Sequence, residues 1–149
     1  MYFDSASSRH GKGVGIVLKY PLGFVFKFAY RLEFEATNNV VEYEALLLGL
    51  ELAKALRVKL LSIKGDSDLV IMQIKNKFTC KNQRLKNYWH VVWDTDDLYL
   101  EAIPREQNSL ANELVVAAST LQLFDELIKM EILFRPFVPD NLEHYKSYS

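Results

Sequence analysis

The stretch Phe24–Glu35, FVFKFAYRLEFE, decides the fold class. Phe24, Phe26, Phe28, Tyr30, Leu32 and Phe34 alternate with Val25, Lys27, Ala29, Arg31, Glu33 and Glu35. Successive side chains of a strand point to opposite faces, so this alternation predicts a β-strand with one buried face. Upstream, Gly13–Tyr20 (GVGIVLKY) sets Val14, Ile16, Leu18 and Tyr20 on one face of a second strand. Pro21, Leu22 and Gly23 form a turn between them, which predicts an antiparallel hairpin. Met1–Asp4 reads as the end of another strand, and the polar, glycine-bearing Ser7–Lys12 as a loop. The N-terminal part is therefore expected to be a three-stranded meander.

Downstream the period changes. Asn39–Leu56 reads as a helix, with Asn38 and Asn39 as capping residues and Glu42 at capping-box spacing from Asn39. Val41, Ala45, Leu48, Leu52 and Ala55 form one apolar stripe, and Leu46, Gly49, Ala53 and Leu56 another. So wide an apolar face suits packing on a sheet, and Gly49 would allow close approach. Glu42 heads the second stripe and is expected to face the sheet; Glu44 shares a face with Leu48 and Glu51, near the solvent side. Lys59–Gly65 is a short apolar strand ending at Asp66. Helices are expected at 68–75 and 83–93, a last strand at Leu98–Ile103 and a last helix at Asn108–Ser119. Strands separated by helices favour parallel pairing through right-handed crossovers. The expected architecture is α/β: a mixed sheet of five strands flanked by helices. After Leu121 the chain turns irregular and proline-bearing, so residues 1–123 are read as one domain and 124–149 as a tail or linker.

The 149 residues and 17.3 kDa suit a single domain, and 50% hydrophobic with 25% charged residues is globular composition. A net charge of −1 excludes a globally basic nucleic-acid binder, so any anion-binding charge must be local. Cys80 is the one cysteine, which excludes an internal disulfide framework and a multi-cysteine zinc site. It fits a reducing, intracellular location, with no choice between cytoplasm and nucleus. No apolar run is long enough for a membrane span, and no signal peptide is read.

Three carboxylates stand out. Asp4 and Asp66 each end an apolar strand, and ligands of open α/β sheets gather beyond the carboxyl ends of strands. Glu42 is expected to point inward. Alone, each acid has an ordinary role: a turn residue, a helix cap, a capping-box glutamate. Together they would repel unless a divalent cation sat among them, and an oxygen-only donor set suits magnesium or manganese.

Here the sequence resembles a family. FDSASS (3–8), TNNVVEYEALLLGLELA (37–53), GDSDLVI (65–71) and PREQNSLANELVVAAS (104–119) are similar, in order, to the four motifs of ribonuclease H. The wording is nearest to the ribonuclease H domains of plant gypsy-class retrotransposon polyproteins, where reverse transcriptase and integrase parts are the partners. The resemblance implies sheet order 3-2-1-4-5 with strand 2 antiparallel. It implies metal ligation by Asp4, Glu42 and Asp66, and two-metal hydrolysis of the RNA strand of an RNA–DNA hybrid. Asn38 and Asn39 would lie at the minor groove, where the 2′-hydroxyl marks RNA. Ser7 and Arg105 are further candidate nucleic-acid contacts. Lys81, Arg84 and Lys86 belong to a basic cluster that reads equally as an exposed helical face or a phosphate-contacting patch.

The chain also departs from the family. Asn112 stands where the family has a fourth acid, and Ser5 replaces a glycine after the first. Glu113 is a poor substitute for that acid, because one helix step turns its side chain by about 100°. Arg105 stands where some relatives place a histidine; an arginine grips phosphate but cannot shuttle a proton. With the short first strand, these changes make a catalytically impaired hybrid-binding remnant the alternative to an active nuclease.

Overall fold

The computed structural model describes residues 1–8, 11–21, 23–36, 38–66, 71–72, 98–121 and 128–134. The side chains at 8, 38–40, 42, 43 and 98 lie outside that description, as do the helices expected at 68–75 and 83–93 apart from Ile71 and Met72.

Six strands form one sheet. They are β1 (Tyr2–Ser8), β2 (Gly11–Lys19), β3 (Val25–Leu32), β4 (Leu61–Gly65), β5 (Leu98–Ala102) and β6 (Ile128–Leu133), in the order β5-β4-β1-β2-β3-β6. β2 is antiparallel to β1 and β3, while β1–β4, β4–β5 and β3–β6 are parallel. The five-strand order expected from the sequence is present. The sixth strand corrects the reading of residues beyond 123 as a tail: Ile128–Leu133 pairs with β3 from Lys27↔Ile128 to Leu32↔Leu133. As an edge strand it is held through its backbone and buries only Ile128 fully, so its apolar signal is thin.

β1 is also longer than expected. Residues 2–8 pair in unbroken register with β2, from Tyr2↔Val17 to Ser8↔Gly11, so Ser7, Ser8, Gly11 and Lys12 belong to the ladder and not to a loop. Pairing of polar residues shows no apolar alternation, which is why the sequence hides it.

Helix α1 (Asn38–Ala55) covers one face of the sheet and α2 (Ser109–Thr120) the other. Val14, Ile16, Leu18, Phe28, Tyr30 and Leu32 pack under α1 with Val41, Ala45, Leu46 and Leu50. Val17, Ala29 and Ile128 pack with Ala111, Leu114 and Ala118 of α2. Phe24 and Phe26, expected on the buried face of β3, are 67% and 40% exposed; the covered part of that strand begins at Phe28. Residues 44–50 of α1 are all buried. Glu44 is among them, which corrects its placement near solvent: the helix has no exposed side at that level. At Gly49 the space a side chain would take is occupied by Met1 Sδ. Among the described residues no helix is long and apolar enough to cross a membrane.

The two small residues of β2, Gly13 and Gly15, set the distance of α2. A Cβ at Gly13 would stand 2.7 Å from the Val115 carbonyl oxygen. A Cβ at Gly15 would overlap the Ala111 carbonyl oxygen and stand 2.8 Å from Leu114 Cβ. The helix backbone therefore rests directly on the strand. At its far end α2 stops at Leu121, in the left-handed conformation with φ 56°, whose N–H closes on Ala117 O. Arg31 donates to Ser119 O and ties that end to β3.

Candidate active site

Asp4 lies in the middle of β1, opposite Gly15 of β2. Its neighbour Phe3 packs under α1 whereas Tyr2 packs with the α2 cluster, so alternation turns Asp4 toward α2. There Asn112 Nδ2 donates to Asp4 Oδ2 at 3.2 Å, and the Ser5 N–H to Asp4 Oδ1 at 2.9 Å. Asp66 follows the last residue of β4, the strand parallel to β1. The two carboxylates are close enough to interact. Burial raises the Asp4 pKa above the usual carboxylate value, and the Asp66 charge raises it further. The Asn112 and Ser5 donors and the Arg105 charge oppose that rise.

Asn108 completes the cluster, and the sequence reading passed over its side chain. It is 1% exposed and stands at the N-cap position of α2. An asparagine there ordinarily accepts a hydrogen bond from the first turn, worth about 1 kcal/mol. Asn108 makes no such bond. Its Nδ2 donates instead to Phe3 O at 3.0 Å and to Asp66 Oδ2 at 3.4 Å, across 105 and 42 residues of sequence. Its Oδ1 is buried with no hydrogen-bond partner among the described residues, an arrangement that costs about 1–3 kcal/mol. The signal available in the sequence was the spacing: Asn108 and Asn112 are four apart, so they share a helix face.

The structure thus brings Asp4, Asp66 and Asn112 together, with Arg105, exposed at the start of the 3-10 turn Arg105–Asn108, within electrostatic reach of Asp4. Glu113 is exposed and points away, as helix geometry requires. Glu42 lies in the second turn of α1, and Asn38 and Asn39 open that helix; their side chains lie outside the described residues. Lys81, Arg84 and Lys86 also lie outside them. Ser7 is exposed near the C-terminal end of β1, three residues beyond Asp4.

Among the described residues no group of three His, Cys, Asp or Glu stands ready for a metal ion. The pair Asp4 and Asp66, with the carbonyl oxygen that Asn112 would offer if its amide turned over, is an all-oxygen donor set. It suits a hard divalent cation such as magnesium or manganese. The amides of Asn112 and Asn108 stand against the two carboxylates and offset part of their repulsion.

A fold with these carboxylates on adjacent parallel strands defines a class, and comparison with known proteins gives the same class. The model of the reverse transcriptase-like family matches residues 3–118, and the chain belongs to that family. Among solved structures it is similar to ribonuclease H1 from the halophilic archaeon Halobacterium salinarum NRC-1. Identity is 28%, over 78% of this chain and 93% of that one, with a TM-score of 0.63. LC11-RNase H1, solved in complex with an RNA/DNA hybrid, is 29% identical over 78% and 93% of the two chains, with a TM-score of 0.60. The N-terminal RNase H domain of Rv2228c from Mycobacterium tuberculosis is 27% identical over 80% and 91%, with a TM-score of 0.59. The ribonuclease H resemblance read from the motifs holds for fold and family.

Proposed function

We propose that this chain is a ribonuclease acting on the RNA strand of RNA–DNA hybrids, with Asp4, Glu42 and Asp66 holding divalent metal and Asn112 as a neutral fourth ligand. One observation carries the reading. Asp4, inside β1, and Asp66, just past the carboxyl end of the adjacent parallel strand β4, are 62 residues apart in sequence yet interact, with Asn112 hydrogen-bonded to Asp4 from α2. The structural relatives support it: they are ribonuclease H1 proteins, one of them solved with a bound hybrid.

Bound magnesium would supply the charge that activates water and stabilises the leaving oxygen. The chain's own contribution is orientation. The Ser5 N–H and Asn112 amide fix both oxygens of Asp4. Asn38 and Asn39, at the start of α1, would meet the minor groove and read the 2′-hydroxyl. Arg105, exposed and near Asp4, would hold a phosphate of the substrate backbone, and Lys81, Arg84, Lys86 and Ser7 would add backbone contacts that carry little sequence information. A place beside reverse transcriptase and integrase in a retrotransposon polyprotein, inside the cell, belongs to the same reading.

The test is cleavage of an end-labelled hybrid with magnesium, with Asp66→Asn as the control. Metal-dependent cutting of the RNA strand that disappears in Asp66→Asn supports the proposal. Equal cutting by both proteins refutes the assignment of the site. The amide that Asn112 places against Asp4, where a fourth negative charge would strengthen metal binding, favours the second reading, an impaired hybrid-binding remnant. Hybrid binding with no cutting at any magnesium concentration would establish that one.

A further inference from the structure

The ladder between β1 and β4 stops just before the acids. This parallel ladder has a single register pair, Tyr2↔Lys64, with the Lys64 N–H bonded to Met1 O at 2.8 Å. Asp4 and Asp66 each lie two residues beyond that pair, and no backbone bond between the strands spaces them there. A parallel pair with so few bonds leaves the spacing of its ends to side chains. Asn108 bridges the two strands there, with one amide nitrogen bonded to Phe3 O on β1 and to the Asp66 carboxylate past β4. It reaches this position by giving up the helix cap, and its carbonyl oxygen is left buried without a partner among the described residues. A side chain that forgoes its local bond and keeps an orphan acceptor marks a place where geometry is set for something other than stability.

We infer that Asn108 is a positioning residue: its carboxamide, bridging Phe3 O and Asp66, sets the spacing of the Asp4 and Asp66 carboxylates so that both can reach one divalent cation. The inference rests on the hydrolase reading for the identity of that cation, and goes beyond it in naming what holds the ligands apart. Partners that orient metal ligands typically contribute ten- to a hundred-fold in metal affinity when removed. Asn108 touches neither substrate nor ion in this arrangement; it acts through Phe3 and Asp66.

The experiment has two arms. In the metal-free wild-type protein, hydrogen exchange of the Asn108 side-chain amide should be slower by about ten-fold or more than in free asparagine, since it is buried and bonded. Fast exchange overturns the bridge, whatever the protein does to a hybrid. Magnesium should then shift the Asn108 amide resonances together with the backbone amides of Asp4 and Asp66; a shift of the acids alone leaves Asn108 a packing residue and overturns the inference. In the second arm, Mn2+ alone is titrated into wild type, Asn108→Ala and the near-isosteric, uncharged Asn108→Leu. Loss of the donor should weaken binding by about ten-fold and lower kcat with KM for hybrid unchanged. A folded variant with wild-type Mn2+ affinity overturns the inference. If neither variant folds, the wild-type exchange and magnesium shifts decide. A wild type that binds metal but cuts nothing counts against the nuclease reading only. A wild type that binds no metal refutes both.

Discussion

Gly15→Ala should displace the helix that carries Asn108 and Asn112. The new methyl would overlap the Ala111 carbonyl oxygen and stand 2.8 Å from Leu114 Cβ and 3.1 Å from Val115 N. These are backbone atoms and a Cβ, so no rotamer change relieves the overlap. α2 must lift off β2 by several tenths of an ångström. Overpacking a well-filled core costs about 1–3 kcal/mol, and a clash with backbone belongs at the upper end. At roughly 2–4 °C per kcal/mol for a chain of this size, the melting temperature should fall by about 6–12 °C. Truncating Leu114 to alanine in the same chain should not rescue it, because Leu114 Cβ and the helix backbone remain. Asp4 lies directly opposite Gly15, so the shift should also lengthen the Asn112–Asp4 bond and reduce cleavage. Thermal melting by circular dichroism with a parallel hybrid-cleavage assay measures both. A loss under about 1 kcal/mol, less than overpacking typically costs, would mean that α2 does not rest on β2 as described, and the argument for the asparagine cluster would fall with it.

Asn112→Asp adds a negative ligand beside Asp4. Half-maximal cleavage should then need about ten-fold less magnesium, roughly 1.4 kcal/mol, well below the ~4 kcal/mol of two charges 4 Å apart near a protein surface. No change in the magnesium titration refutes the ligand role. Asp4→Asn should stabilise the metal-free protein at pH 7. Burial raises the Asp4 pKa in the folded state, so the folded chain binds that proton more tightly than the unfolded chain does. The penalty therefore grows as pH rises from the ordinary value, about 3.9, through the raised one, and is complete above both. Melting wild type and Asp4→Asn from pH 3 to 7 should show curves that meet at the acid end and part toward neutrality; a constant gap refutes it. Ile128→Ala removes the buried residue of β6, and urea unfolding should show a loss of about 2 kcal/mol, the low end for isoleucine because the site is at a sheet edge. An unchanged midpoint would show that β6 adds nothing to the sheet.

How much the sequence revealed depends on what held each element. Elements held by apolar side chains were legible: Phe28, Tyr30 and Leu32 of β3, Val14, Ile16 and Leu18 of β2, and Ala111, Leu114 and Ala118 of α2 all lie where periodicity placed them. Elements held by backbone were not. Ser7 and Ser8 pair with Lys12 and Gly11 without any apolar face, and β6 alternates Ile128, Met130 and Ile132 with Lys129 and Glu131 but buries one residue. Glu44 misled because a single helix was judged against a sheet on one side and water on the other, whereas α1 is enclosed at that level. In the candidate site, Asp66 was legible as a strand-end acid and Asn112 as a motif position; Asp4 was also read as a strand end, but β1 runs on to Ser8 and places it mid-strand. Asn108 was not legible, because the sequence shows it only as the first residue of a helix, and only tertiary structure shows where its amide is used.

The bond from Asn108 to Phe3 closes a loop of 105 residues. No fragment short of nearly the whole domain can contain both ends, so the cluster of carboxylates and asparagines has no local precursor and comes into being only with the global fold. A chain nicked between β4 and β5 would leave Asp4 and Asp66 on one piece and both asparagines on the other. Reassociation of two such halves should then restore the cluster in a single concentration-dependent step, making ion binding a direct readout of complementation.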